Sequence, residues 1–235
     1  DLIRRRRASV SGGKNAEARW AGAAEWFYRA LDRVLAAVSG PQLRILIIKD
    51  VKTFIRACGL LQQQILELEA LIIGAFDEDK EYSGECRDYV RQIGLEATIT
   101  FTGKVNVLDY LGRIDVVVLT SISEGQPLVL LEAGAAGIPS VATDVGACRE
   151  MIMGRDDELP ALGPGGVVTT LTSPKATAEG MLKLLSDPVF YASCSTAIRE
   201  RVRRYYDKGD MLASYRSLYA KLIEAPDGIR ARRGR

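Results

Sequence analysis

The stretch that leaves this chain least freedom runs from Asp115 to Thr143. Asp115-Val-Val-Val-Leu-Thr120 is a short β-branched apolar run bounded by polar residues, the pattern of a buried strand. Gly125 then lets the backbone bend tightly, Pro127 carries the fixed φ that suits a first helical position, and Leu128 to Ala136 continue as a helix. Ser140-Val-Ala-Thr143 reads as the next strand. Free N–H groups at such a helix start, together with the positive end of the helix dipole, suit an anion such as a diphosphate.

Two carboxylates flank the bend. Glu124 stands in the loop, and Glu132 follows eight residues later among Leu, Val and small residues. A carboxylate in that company is expensive to desolvate unless donors reach it, and sugar hydroxyls are suitable donors. The plainer alternative puts Glu132 on a solvated helix edge and makes Glu124 an ordinary loop acid, as most charged side chains are exposed.

The whole string Ser121-Ile-Ser-Glu124-Gly125-Gln126-Pro127-Leu128 through Glu132 to Thr143 resembles the S-x-x-E-G-x-P-L-x-x-L-E-A-x-A-x-G-x-P-V-V-A-T pattern of the family 4 glycosyltransferases. Asp144-Val-Gly-Ala-Cys-Arg-Glu150 and Asn106 to Asp115 resemble the branch that makes Pel-type exopolysaccharide, and the likeness extends from about Arg44 to Leu222. It implies the C-terminal, donor-binding domain of the two-domain GT-B fold. It also implies hexose transfer with retention from a nucleotide-sugar, UDP-glucose in the Pel branch, to a glycan acceptor, with no catalytic metal and no other cofactor.

By position in that pattern, Glu132 would accept from the ribose, while Glu124 and the amides of Gly125 and Gln126 would orient the hexose, next to Pro127 and Leu128. Leu43 to Ala57 resembles the family segment G-R-V-V-P-I-K-D-V-K-T-F-I-R-A, which follows the first strand; Arg44 and Lys49 fall where its diphosphate ligands stand. Leu43 replaces the glycine and Ile48 the proline of that segment. Phe101-Thr-Gly-Lys104-Val105 resembles the segment that holds the nucleotide base.

Elsewhere strands alternate with helices. Helices are expected over Val51 to Leu66, Glu78 to Ile93 and Asn106 to Leu111, with strands at Ala70 to Gly74 and Thr98 to Gly103. A short helix near Arg149 to Ile152, a strand after Gly163, and three helices over Pro174 to Leu185, Pro188 to Tyr205 and Gly209 to Ile223 follow. Such alternation predicts a doubly wound, mostly parallel α/β sheet of Rossmann-like type. Residues 1–42 read as a basic tail and an amphipathic helix carrying Trp20 and Trp26, 43–224 as the nucleotide-sugar-binding domain, and 225–235 as a basic tail.

Composition removes several classes. The chain of 235 residues has no histidine, and its four cysteines form no C-x-x-C pair, which argues against a zinc site or a histidine triad. Scattered thiols, no membrane-span run and no secretory signal fit a cytoplasmic location. A net charge of +2 makes no case for nucleic acid. The chain starts at Asp1, and the residues before Arg44 are too few for an acceptor domain. The expectation is therefore a piece of a longer enzyme, or a chain completed by an acceptor-domain or exopolysaccharide-synthesis partner. The alternative is a non-catalytic nucleotide-sugar-binding or assembly subunit.

Overall fold

The computed structural model describes residues 43–48, 50–65, 67–74 and 79–224, with backbone alone at 43–48 and 222–224. Residues 1–42 and 225–235, including the Trp20/Trp26 segment, lie outside the described residues. The strands are β1 (Leu43–Ile48), β2 (Leu68–Ile73), β3 (Ile99–Gly103), β4 (Val116–Leu119), β5 (Ser140–Thr143) and β6 (Gly166–Thr169). All pair in parallel, in the order β3-β2-β1-β4-β5-β6. This is the doubly wound α/β sheet expected from the alternating pattern.

Successive side chains of a strand point to opposite faces, and here both faces are buried. On one face Leu68, Ala70, Ile72, Val116, Val118 and Val141 pack with α1 (Val51–Gln62), α2 (Lys80–Gln92) and Met181 and Leu184 of α6 (Pro174–Ser186). On the other, Leu71, Ile73, Val117, Leu119 and Ala142 meet α3 (Leu108–Leu111), α4 (Leu128–Ala135) and α5 (Cys148–Met153). Near-continuous apolar strands such as Val116-Val-Val-Leu119 follow from burial on both sides.

Three expectations need correction. Leu43 to Ile48 is itself the first strand, not a loop following one; Leu43-Arg-Ile-Leu-Ile-Ile48 is the apolar run a central parallel strand requires. α1 stops at Gln62 and β2 starts at Leu68, so the connection takes residues that periodicity gave to the helix. Pro127 is the N-cap of α4 and not its first helical residue: its φ of −71° suits either place, but its ψ of 114° is extended.

The eighteen residues of α7 (Pro188–Tyr205) cross the amino edge of the sheet. Tyr191 Oη donates to the Asp115 carbonyl ahead of β4, and Ser195 Oγ to the Gly137 carbonyl ahead of β5. Arg201, fully buried, donates to the Gly163 carbonyl ahead of β6. It also donates to Ile152 and, through Nε and Nη2, to both carboxylate oxygens of buried Glu158 at 2.6 and 2.8 Å. Gly134 of α4 faces this helix, where an added Cβ would lie 2.6 Å from Val202 Cγ2. The small-residue face of α4 therefore serves the helix contact as well as the sheet. α8 (Lys208–Glu224) follows, with Met211, Tyr215, Leu218 and Tyr219 exposed.

Removing one partner of a buried ion pair strands the other charge, which typically destabilises by about 3–5 kcal/mol. Arg201→Ala should do so in chemical denaturation; a loss under about 1 kcal/mol would contradict the pairing. Hydrogen bonds from Arg201 hold the Glu158 carboxyl below its ordinary range against the opposing effect of burial. Its contribution is complete above the unfolded value of about 4.3 and is lost as pH falls through the lower folded value. The stability gap between the native chain and Glu158→Gln should narrow on acidification below about pH 4, measured by urea titration at each pH.

Candidate functional site at the carboxyl edge

β1 and β4 are neighbours whose chains wind outwards in opposite directions, and ligands of such sheets sit in the crevice beyond the carboxyl ends at that point. The last carbonyls of parallel strands need donors there. Backbone N–H groups of Gly74, Val145 and Asp144 supply them for β3, β5 and β6, and buried hydroxyls bind carbonyls just beyond the strands. Thr120 Oγ1 donates across the divide to the Asp50 carbonyl at 3.0 Å, and Thr143 Oγ1 donates to the Ser121 carbonyl at 2.5 Å. Asp50 caps α1 by accepting from the Thr53 N–H and takes a left-handed conformation unusual for a non-glycine residue.

Ser121 leaves β4 fully buried, and its Oγ donates to Glu124 Oε1 at 2.7 Å. The Glu124 side chain is half-buried, and Gly125 and Gln126 are exposed. Below them lies the turn after β5. The Ala147 N–H donates to the Gly125 carbonyl at 2.8 Å. Gly146 has φ +52°, and a Cβ there would sit 2.5 Å from that carbonyl and closer still to that of Glu124. The turn is braced at its far end: Asp144 N–H donates to the Thr169 carbonyl, while Arg149 holds the Asp144 carboxylate from two nitrogens and lowers its pKa.

α4 starts immediately beyond. Pro127 provides no side-chain cap, so no side chain of the N-cap occupies the first N–H groups of the helix. Val129, Leu130 and Ala133 are buried, whereas Leu128, Glu132 and Ala135 are exposed at helical spacing, a stripe that begins at the loop. Glu132 thus stands on a solvated helix edge, the plainer of the two expectations for it. Lys104, exposed, and Val105, partly packed on the core, follow β3 at the same edge of the sheet.

The edge brings together Glu124, Gly125, Gln126, Pro127 and Leu128, with Glu132 one turn into the helix. It does not bring Arg44 there. Arg44 pairs with Glu69 at the amino end of β1, four residues from Ile48, about 13 Å at the strand rise. Its expected place beside a diphosphate is corrected accordingly. Lys49 lies outside the described residues. What sequence reasoning missed is the second wall, Thr143, Gly146 and Ala147. Gly146 beside Asp144 was the available signal, but a glycine in a turn does not reveal which carbonyl it approaches.

Acceptors, amides and an uncapped helix start at one edge can bind a hydroxyl-rich anion. Among the described residues no group of three or more His, Cys, Asp or Glu is gathered for a metal, and no helix is long and apolar enough to cross a membrane.

Known proteins share this fold. The C-terminal domain of a glycosyl transferase group 1 family protein (LpcC) from Francisella tularensis superposes with a TM-score of 0.62 at 25% identity, covering 77% of this chain and 92% of that one. Anabaena Alr3699/HepE, solved with UDP and glucose, shares the fold with a TM-score of 0.66 at 19% identity, over 83% of this chain and 51% of that one. The N-acetyl-alpha-D-glucosaminyl L-malate synthase of Bacillus anthracis is 28% identical over 57% of this chain and 33% of its own length. The trehalose synthase of Rubrobacter xylanophilus is 28% identical over 74% of this chain and 41% of its own. The chain thus spans well under half the length of either curated relative. The family model for glycosyl transferases group 1 matches residues 42–187, more than half of the 235, and the chain belongs to that family.

Proposed function

We propose that this chain is the donor-binding half of a retaining hexosyltransferase of the Pel-type branch, taking the sugar from a nucleotide donor, UDP-glucose foremost, to a glycan acceptor. The observation that carries the reading is the position of the Glu124-to-Glu132 segment, on the loop and helix start that leave β4 at the topological switch point. Glu132 accepts from the ribose hydroxyls. Glu124, with the amides of Gly125 and Gln126, orients the hexose. Lys104 and Val105 flank the base, and Lys49 and the start of α4 face the diphosphate. No metal or further cofactor is assigned. As the family resemblance implies, the donor phosphate itself takes the acceptor proton during front-side displacement.

Transfer needs donor and acceptor held in one closed cleft. The exposed stripe of Met211, Tyr215, Leu218 and Tyr219 on α8 is a surface suited to an acceptor domain or a partner protein of exopolysaccharide synthesis. The 235-residue chain alone is then expected to bind donor and transfer it poorly. Efficient sugar transfer by this polypeptide would overturn that clause.

Thermal unfolding with UDP, UDP-glucose, GDP-mannose and NAD tests the reading. A bound ligand at a hundred times its dissociation constant adds about 2.7 kcal/mol, a rise of roughly 5 to 10 °C for a chain this size. UDP and UDP-glucose should give it and NAD should not; no shift with any nucleotide-sugar would refute donor binding. Hydrogen bonds to a charged group contribute about 1.5–3 kcal/mol, so Glu132→Ala should weaken both UDP and UDP-glucose by about 10- to 100-fold in calorimetry. Glu124→Ala should weaken UDP-glucose and spare UDP. The opposite pattern would reverse the two assignments.

A further inference from the structure

The Glu124 loop rests on a network that donor binding as described does not use. Ser121 Oγ donates to the Glu124 carboxylate at 2.7 Å, and the Ser121 carbonyl accepts from Thr143 Oγ1 at 2.5 Å. Ser121 and Thr143 are essentially inaccessible to solvent, at 0% and 1%. Beneath the loop, Gly146 approaches the carbonyls of Glu124 and Gly125 so closely that a methyl group has no room, and Ala147 N–H binds the second of them. A serine, a threonine and a turn from the neighbouring strand thus fix both the side chain and the backbone of one exposed bend. The core does not demand this. The Glu124 side chain is only half-buried, and the loop tip at Gly125 and Gln126 is exposed.

We propose that Ser121, Thr143 and Gly146 are positioning residues that hold Glu124 and the Gly125 peptide ready for the transferred sugar, setting affinity for the sugar and not for the nucleotide. The inference rests on the donor-site reading above. Its physical basis is preorganisation: a carboxylate already oriented by a buried hydroxyl loses less rotamer freedom when it accepts from a sugar hydroxyl. A charge-assisted hydrogen bond is shorter and stronger than a neutral one, so a buried hydroxyl restrains the rotamer of the carboxylate it binds. Glu132 lies on a helix outside this network, and the nucleotide contacts should be indifferent to it.

The test is calorimetric titration of the 235-residue chain with UDP and UDP-glucose, and with GDP and GDP-mannose, for the native sequence, Ser121→Ala, Thr143→Val and Thr143→Ser. Relative to its own nucleoside diphosphate, the sugar ester should weaken by about tenfold in Ser121→Ala, the scale of one hydrogen bond to a charged group, and by about fivefold in Thr143→Val, which removes a neutral one. Thr143→Ser keeps the hydroxyl and should restore the native ratio. A merely structural role would lower melting temperature and both affinities together, so equal losses overturn the proposal, as do unchanged ratios. Failure of Ser121→Ala to fold leaves the Thr143 pair to decide, since valine and serine bracket the hydroxyl at nearly constant shape. A native chain that binds none of the four compounds overturns the donor-site reading itself and the positioning role with it.

Discussion

Where a parallel sheet ends, its last carbonyls lose their neighbours, and how they are satisfied governs everything built above them. In this chain backbone N–H groups of Gly74, Val145 and Asp144 take the end carbonyls of β3, β5 and β6, and side-chain hydroxyls tie down the chain beyond. Thr120 reaches the Asp50 carbonyl and Thr143 that of Ser121, both on chain leaving a neighbouring strand, while Thr169 reaches that of Ala142 inside β5. Loops tied in this way share the rigidity of the sheet. A bend that holds ligand groups within a fraction of an ångström needs such support, because loops fastened only at their ends wander.

The opposite edge is closed by different means. α7 runs beneath it and gives Tyr191, Ser195 and Arg201 to three carbonyls that precede β4, β5 and β6. Arg201 and Glu158 neutralise one another inside, with the Ile152 and Gly163 carbonyls taking the remaining guanidinium donors that the geometry offers. Sealing one edge and keeping the other open divides the molecule. Buried polar groups close the amino side, and an exposed loop tip and an uncapped helix start remain on the carboxyl side, where ligands of such sheets bind.

Most of the fold was legible because burial on both faces writes itself as short apolar runs, and Val116 to Leu119 and Ser140 to Thr143 are such runs. The error at Arg44 came from setting that signal aside in favour of a resemblance. Leu43 to Ile48 reads as a strand on composition alone, and the sheet uses it as its central member. Pro127 could not be placed to the residue, since proline fixes φ and the difference between cap and first turn lies in ψ. Gly134, Gly146 and Arg201 belong to a third kind. Each answers to a group far off in sequence, Val202, the Gly125 carbonyl and Glu158, and no local pattern announces such a partner. The candidate site was therefore legible as a list of residues that meet at one edge of the sheet and illegible as a supported structure.

The electrostatics of the donor reading impose a final condition. A diphosphate bound between Glu124 and Glu132 brings negative charge towards two carboxylates, which is unfavourable unless positive groups intervene. Arg149 is engaged with Asp144, and Lys52 lies 2.5 Å from Glu85, so these two cations are already committed. On that reading the load would fall on the peptide N–H groups where α4 begins and on exposed Lys104. A helix start carries about half a unit charge, undiminished here by any side-chain cap, and its effect fades within the first turn. Phosphate would on that reading sit close over Leu128 and Val129, with the donor's sugar over the Glu124 bend and its ribose towards the next turn, where Glu132 stands.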